Sequence, residues 1–314
     1  MDMPIESDGS HEAFETKDAH SGSSSLRLSY RPPYRWEQIL DFLGGRAIAG
    51  AEMVKNGEYL RTARLETADG SSVSGWLRVI HRPEQNALAV TVSEALTPVL
   101  PKVSARVRHL FDLCCDPYEI YGALQAMNEI RPGACVLGTR LPGCFDAFEM
   151  AVRAILGQQI TVKAAGTLAA RVIDRYGTSI QTGIEGLTRI FPAPESVLAM
   201  GDDIEDNLGT LGVTGARSKT IRELARLMAE GEVELGLRAR PEEEMKRLMG
   251  IRGIGNWTAQ YIAMRAMGWT DSFLETDAGI RKALPGYSPK ELLGIAEAWR
   301  PWRSYATVGL WDTL

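Results

Sequence analysis

The segment 248–259, LMGIRGIGNWTA, constrains this chain more than any other stretch. It reads as a helix, a tight turn on Gly253 and Gly255, and a second helix. Glycines there let the backbone bend freely and leave room for a ligand against the main chain. Ile254 between them is an apolar anchor for the space between the helices, and Thr258 lies near the first turn of the second helix. The opening N–H groups of that helix have no helical partner and point at any anion. A nucleic-acid phosphate suits such a point, held without its sequence being read. The carbonyls of Met249, Ile251 and Ile254 are candidate ligands for a monovalent cation, Na+ or K+, which would add positive charge beside the phosphate. The bland alternative is that a glycine-rich turn between helices is only a turn.

Asp277 follows in the run FLETDAGIRK at 273–282. An Asp or Thr at a helix start is commonly an N-cap worth about 1 kcal/mol, and Thr276 or Asp277 could do only that. The functional alternative places the carboxylate beside a reactive sugar carbon. A breaking N-glycosidic bond builds positive charge on the deoxyribose, and a fixed carboxylate stabilises it or activates water. Glu275 is the local competitor. The four histidines, His11, His20, His81 and His109, lie away from this region, which argues against a histidine-based triad or a histidine-rich metal site there.

The remainder of the chain sets the frame. A chain of 314 residues is expected to form one large or two to three ordinary domains, and 45% apolar residues suffice for real cores. Residues 1–28 are rich in Ser, Gly and acids and are expected to be a disordered tail. They carry six acids against Lys17 and Arg27, a net of −4 out of −5 for the chain, so the rest stands near −1. Overall charge therefore neither supports nor excludes a DNA partner, for which a local basic patch is enough. Cys114, Cys115, Cys135 and Cys144 have neither zinc nor iron–sulfur spacing. No secretory or membrane-spanning run is visible, so a reduced, soluble, cytoplasmic protein is expected.

Residues 29–111 read as an α+β domain. A helix follows Pro32 and Pro33, and strands are expected at 59–65, 73–81 and 87–93 with a turn at Asp69-Gly70. Beyond Ser93 helical patterns dominate, and 112–314 is expected to be a helical core. The fold class expected is α+β: an N-terminal domain with an antiparallel sheet, and a mainly helical remainder.

The chain resembles the helix-hairpin-helix base-excision DNA glycosylases, and within them the bacterial 3-methyladenine glycosylases of the second type. The resemblance covers roughly 29–314. It rests on PPYRWEQILDFLGGRA at 32–47, LFDLCCDP at 110–117, LPGCFDAFEMAVRAILGQQIT at 141–161, LMGIRGIGNWTAQYIAMR at 248–265, FLETDAGIRK at 273–282 and WRPWRSYATVGLW at 299–311. It implies two helical subdomains, about 145–268 and 112–144 plus 269–314, with the active-site cleft between them. It also implies base flipping in duplex DNA and cleavage of the glycosidic bond. Asp277 falls at the family's catalytic aspartate. Pocket positions carry over to Phe42, Trp257, Tyr261 and Trp311, where aromatic faces would stack on electron-poor alkylated purines. Trp257 and Tyr261 share a helix face by their i,i+4 spacing.

DNA contacts are expected from Gln158, Gln159, Arg252, Gly253, Ile254, Gly255 and Thr258. Relatives that also cut the backbone use a lysine where this chain has Trp257, so a monofunctional enzyme is implied, without lyase activity. Four departures stand out: Gln159 in place of a wedging leucine, Ala278 in place of an aromatic residue, Arg252 in place of a proline, and the acidic tail. No cofactor is required by this reading, and a monomer is expected. The alternatives are a non-catalytic damaged-DNA-binding module and a glycosylase for uracil, a mismatched base or an oxidised purine.

Overall fold

The computed structural model describes residues 16–18, as backbone, and 23–314. Strands β1 (Thr16–Asp18), β2 (Ser23–Ser29), β3 (Glu52–Lys55), β4 (Glu58–Glu66), β5 (Ser72–Arg82) and β6 (Ala87–Ser93) form one antiparallel sheet in the order β1-β2-β6-β5-β4-β3. The three strands expected from alternation are present. The β4–β5 hairpin turns at 67–71, where Gly70 takes φ +84 and Asp69 accepts from the Ser71 N–H. The β3–β4 hairpin turns on Asn56 and Gly57, both at positive φ, as a two-residue hairpin demands.

The expected disordered tail is corrected at its C-terminal end. Residues 23–28 lie in β2, paired along its whole length with β6. Leu26 and Leu28 face the core while Ser23, Ser25 and Arg27 alternate outward. A serine-rich composition masked this period of two, and β6 satisfies the strand's backbone groups. The calls for residues 1–15 and 19–22 lie outside the described residues.

The sheet packs on helices Trp36–Gly44 and Leu100–Leu110 through Leu28, Ile39, Val90, Val103 and Phe111, all fully buried. A second core fills the space among helices Ala147–Leu156, Val162–Tyr176, Gly215–Ala229, Pro241–Gly250 and Asn256–Ala266. A third gathers Ile120, Phe273, Ile280 and Trp299 beneath helices Ala278–Ala283 and Arg303–Trp311. Tyr261 packs against the second and third cores, and Trp311 against the first and third.

A buried ion network fastens the sheet to the helices. Arg61 on β4 bonds Glu149 at 2.7 Å and Glu52 at 3.3 Å, and Arg153 bonds Glu52 at 2.9 Å and Glu149 at 3.0 Å. The Tyr59 hydroxyl donates to Glu52 at 2.7 Å. This network decides how the 147–156 helix, whose C-terminal end borders the cleft, sits on the first domain.

Candidate active site

The hairpin has the form its glycines imply. Gly253 takes φ +98, and a Cβ there would meet Thr220 Oγ1 at 2.3 Å. Ile254 is buried, and its N–H closes the turn on the Ile251 carbonyl at 3.0 Å. The first main-chain bond of the second helix runs from the Ala259 N–H to the Gly255 carbonyl at 3.0 Å, leaving the Asn256, Trp257 and Thr258 N–H groups ahead of it. Neighbouring segments hold the turn in place. Thr220 Oγ1 donates to the Arg252 carbonyl at 2.8 Å, and Gln158 Nε2 donates to the Gly253 carbonyl at 2.8 Å and to Thr258 Oγ1 at 3.0 Å. Arg217 donates to the Gln158 carbonyl. Thr214 caps the helix bearing Thr220 and Arg217, so the GVTGAR turn braces the hairpin.

Asp277 is both an N-cap and a wall of the cleft. Its Oδ1 accepts from the Gly279 N–H at 2.8 Å, the Ile280 N–H at 3.1 Å and Trp311 Nε1 at 2.9 Å. Its Oδ2 accepts from Trp257 Nε1 at 3.2 Å. One oxygen is thus saturated by the cap and one indole, while the other keeps spare acceptor capacity. Four donors from three elements fix the plane of the carboxylate. Glu275 instead accepts from Asn256 Nδ2 at 3.3 Å and, unlike Asp277, does not line the cleft.

The cleft measures about 1180 Å³, large enough for a base with its sugar. Trp257 and Tyr261 stack on each other, with centroids 5.2 Å apart and planes 11° from parallel. Trp311 meets Tyr261 edge-on at 6.4 Å. Phe42 is placed differently from the expectation. It is buried behind Trp311, stacked at 6.1 Å, with the Arg46 guanidinium 3.7 Å over its ring, and it does not line the cavity. The short link from the helix Trp36–Gly44 brings Arg46 into the place expected for Phe42.

The sequence reading missed Arg46, Arg153 and Arg265, which all line the cleft. Arg265 donates to the Tyr261 hydroxyl at 2.8 Å, to the Pro142 carbonyl at 2.5 Å and to the Gly143 carbonyl at 2.9 Å. Burial opposes ionisation of the Tyr261 phenol, but the Arg265, Arg46 and Arg153 guanidiniums outweigh it and hold its pKa below the ordinary tyrosine value. Arg153 is balanced by Glu52 and Glu149, whereas Arg46 and Arg265 have no carboxylate partner among the described residues. Arg265 was accessible to periodicity, because it lies four residues beyond Tyr261 on the same helix face.

Gln159 stands exposed at the turn between helices 147–156 and 162–176, with φ +57. Exposed apolar neighbours flank it: Ile160 at 37% and Val162 at 48% exposure also border the cleft. Arg252 is exposed beside the hairpin.

A glycine hairpin with free helix-opening N–H groups, a capped carboxylate and an aromatic cavity thus meet in one cleft. Two family models match the chain, the AlkA N-terminal domain over residues 25–146 and the HhH-GPD superfamily base excision DNA repair protein over 152–288. The chain is 36% identical over 286 residues to DNA-3-methyladenine glycosylase 2 of Escherichia coli K12, covering 91% of this chain and 96% of that one. It is 35% identical over 306 residues to a probable bifunctional transcriptional activator/DNA repair enzyme AlkA of Mycobacterium tuberculosis, covering 96% of this chain and 59% of that one. The fold is similar to that of the 3-methyladenine DNA-glycosylase from Archaeoglobus fulgidus, with TM-score 0.73 and 23% identity over 91% of this chain and 96% of that one. This chain belongs to the AlkA-like family within the HhH-GPD superfamily.

Proposed function

We propose that this protein is a DNA glycosylase that hydrolyses the N-glycosidic bond of alkylated purines such as 3-methyladenine and 7-methylguanine in duplex DNA. The observation that carries this reading is the spare acceptor capacity of Asp277 Oδ2 within the aromatic cleft. A base flipped into the cleft would stack on the indole and phenol faces. Its departure would leave positive charge on the deoxyribose, which the carboxylate stabilises while water adds at the sugar carbon. The N–H groups at Asn256–Thr258 would hold a strand phosphate, and the Gln159 turn would enter the gap left by the base.

Trp257 offers no amine, and no lysine lines the cleft among the described residues. Water is then the nucleophile and the product is an abasic site in an intact strand. The carbonyls of Met249, Ile251 and Ile254 are a neutral, hard-oxygen set that suits a monovalent cation rather than a transition metal. The cleft would lie between helical subdomains of about 145–268 and 112–144 plus 269–314, in a monomer. No helix among the described residues is long and apolar enough to cross a membrane, and a DNA substrate places the protein in the cytoplasm. One observation favours a second reading for substrate range. Arg46 lacks a carboxylate partner in the cleft wall, and its N–H groups suit a neutral base with an exocyclic carbonyl, such as a uracil or an oxidised purine.

The test incubates the protein with methylated duplex DNA and measures released bases and strand scission together. Release of 3-methyladenine or 7-methylguanine, with breaks only after alkali, is the expected result. Binding without release of any base would replace the enzyme reading with that of a damage-binding module.

A further inference from the structure

The helix that Asp277 caps carries a second feature. Arg281 and Lys282 are exposed, and neither side chain has a hydrogen-bond or ion-pair partner among the described residues. They border a cavity of about 560 Å³ together with Tyr287, which is 43% exposed, and Ser288. No carboxylate lines it among the described residues. Glu291, the nearest acid in the following helix, is engaged with the Ser288 backbone and hydroxyl in a capping box. Ala278 lines both this cavity and the cleft, so the two are neighbours on either side of a methyl group.

We infer that the Arg281–Lys282 cavity binds a backbone phosphodiester of the lesion strand, on the opposite side of the flipped nucleotide from the phosphate held by the hairpin. This rests on the glycosylase reading above. A nucleotide drawn into the cleft is tethered by a phosphate at each end. The hairpin offers N–H donors to one, and it lines the same cleft as Ala278. The strand leaving past Ala278 meets two unpaired cations and a phenol that can hydrogen-bond or stack. The small side chain at 278 keeps that exit open where an aromatic one would narrow it.

The test measures binding of the full chain to a duplex holding a non-hydrolysable abasic analogue from 50 to 200 mM salt, for wild type and for Arg281→Gln/Lys282→Gln. Neutralising one phosphate contributes about 0.9 to the slope of log K against log salt, so the variant is expected to lose that much. Over this salt range the wild type then weakens about 3.5-fold more than the variant. A series of single methylphosphonate substitutions identifies the occupant. At one linkage beside the analogue, neutralisation weakens the wild type and leaves the variant unaffected. An unchanged slope in a folded variant, or no linkage that couples to it, overturns the inference, the latter by pointing to a free anion as the ligand. Base release by the wild type is assayed in parallel. If the wild type neither binds the duplex nor releases base, the glycosylase reading itself fails, which is a separate outcome.

Discussion

Replacing Asp277 by Asn separates the two things its carboxylate does. Asn caps helices as well as Asp, so the bonds from the Gly279 and Ile280 N–H groups survive on the amide oxygen. The amide nitrogen then faces Trp257 Nε1, donor against donor, at the loss of one hydrogen bond of about 1 kcal/mol. That corresponds to a fall in Tm of about 1.5 °C for a chain of this size. The charge is a larger matter. A carboxylate at about 4 Å from a developing sugar cation, at an effective dielectric of about 20, contributes about 4 kcal/mol. Its removal should slow single-turnover release of 7-methylguanine about 1000-fold, beyond spontaneous loss. Asp277→Ala removes cap and charge together, so it should match Asn in rate and fall below it in stability. A folded, DNA-binding Asn variant within tenfold of the wild-type rate, with only Ala impaired, would reduce Asp277 to a helix cap and refute the reasoning.

Other perturbations test the frame around the site. Gly253→Ala forces a side chain to φ +98 and against Thr220 Oγ1, and should cost about 1–3 kcal/mol together with affinity for duplex DNA, read by denaturant titration and anisotropy. Arg61→Met leaves Glu52 and Glu149 short of a cation in the interior and should cost about 3–5 kcal/mol in the same titration; a loss below 1 kcal/mol would show that the network is dispensable. His109 is partly buried with Nε2 bonded to the Arg265 carbonyl at 3.0 Å, and its desolvation lowers its pKa from 6.5 to about 4. The folded value lies below the unfolded one, so its contribution is complete above pH 6.5 and falls by about 3 kcal/mol as pH drops toward 4. Asp112 runs the opposite way, since burial raises its pKa to about 6 and its contribution is lost as pH rises from about 4 to 6. The stability difference between wild type and His109→Gln should therefore shrink as pH falls through this window, and a constant difference would contradict the assignment.

Local chemistry was legible in the sequence wherever it is set by neighbours along the chain. The turn at Gly253–Gly255, the cap at Asp277 and the alternation of β4, β5 and β6 each follow from a few consecutive residues, because backbone freedom, capping and side-chain period act over one turn or one strand. The same logic would have found β3 from Asn56-Gly57 and β2 from Leu26 and Leu28. What only the tertiary structure decided is what distant segments bring together. The two indoles that frame Asp277 come from helices 256–266 and 303–311. Arg46 from the first domain takes the cleft wall and leaves Phe42 behind it. Arg281 and Lys282 follow Asp277 by only a few residues, but the fold alone sets them around a cavity that shares Ala278 with the cleft. Such placements depend on how three cores settle against one another, and no short-range pattern in the chain encodes the distance between their surfaces.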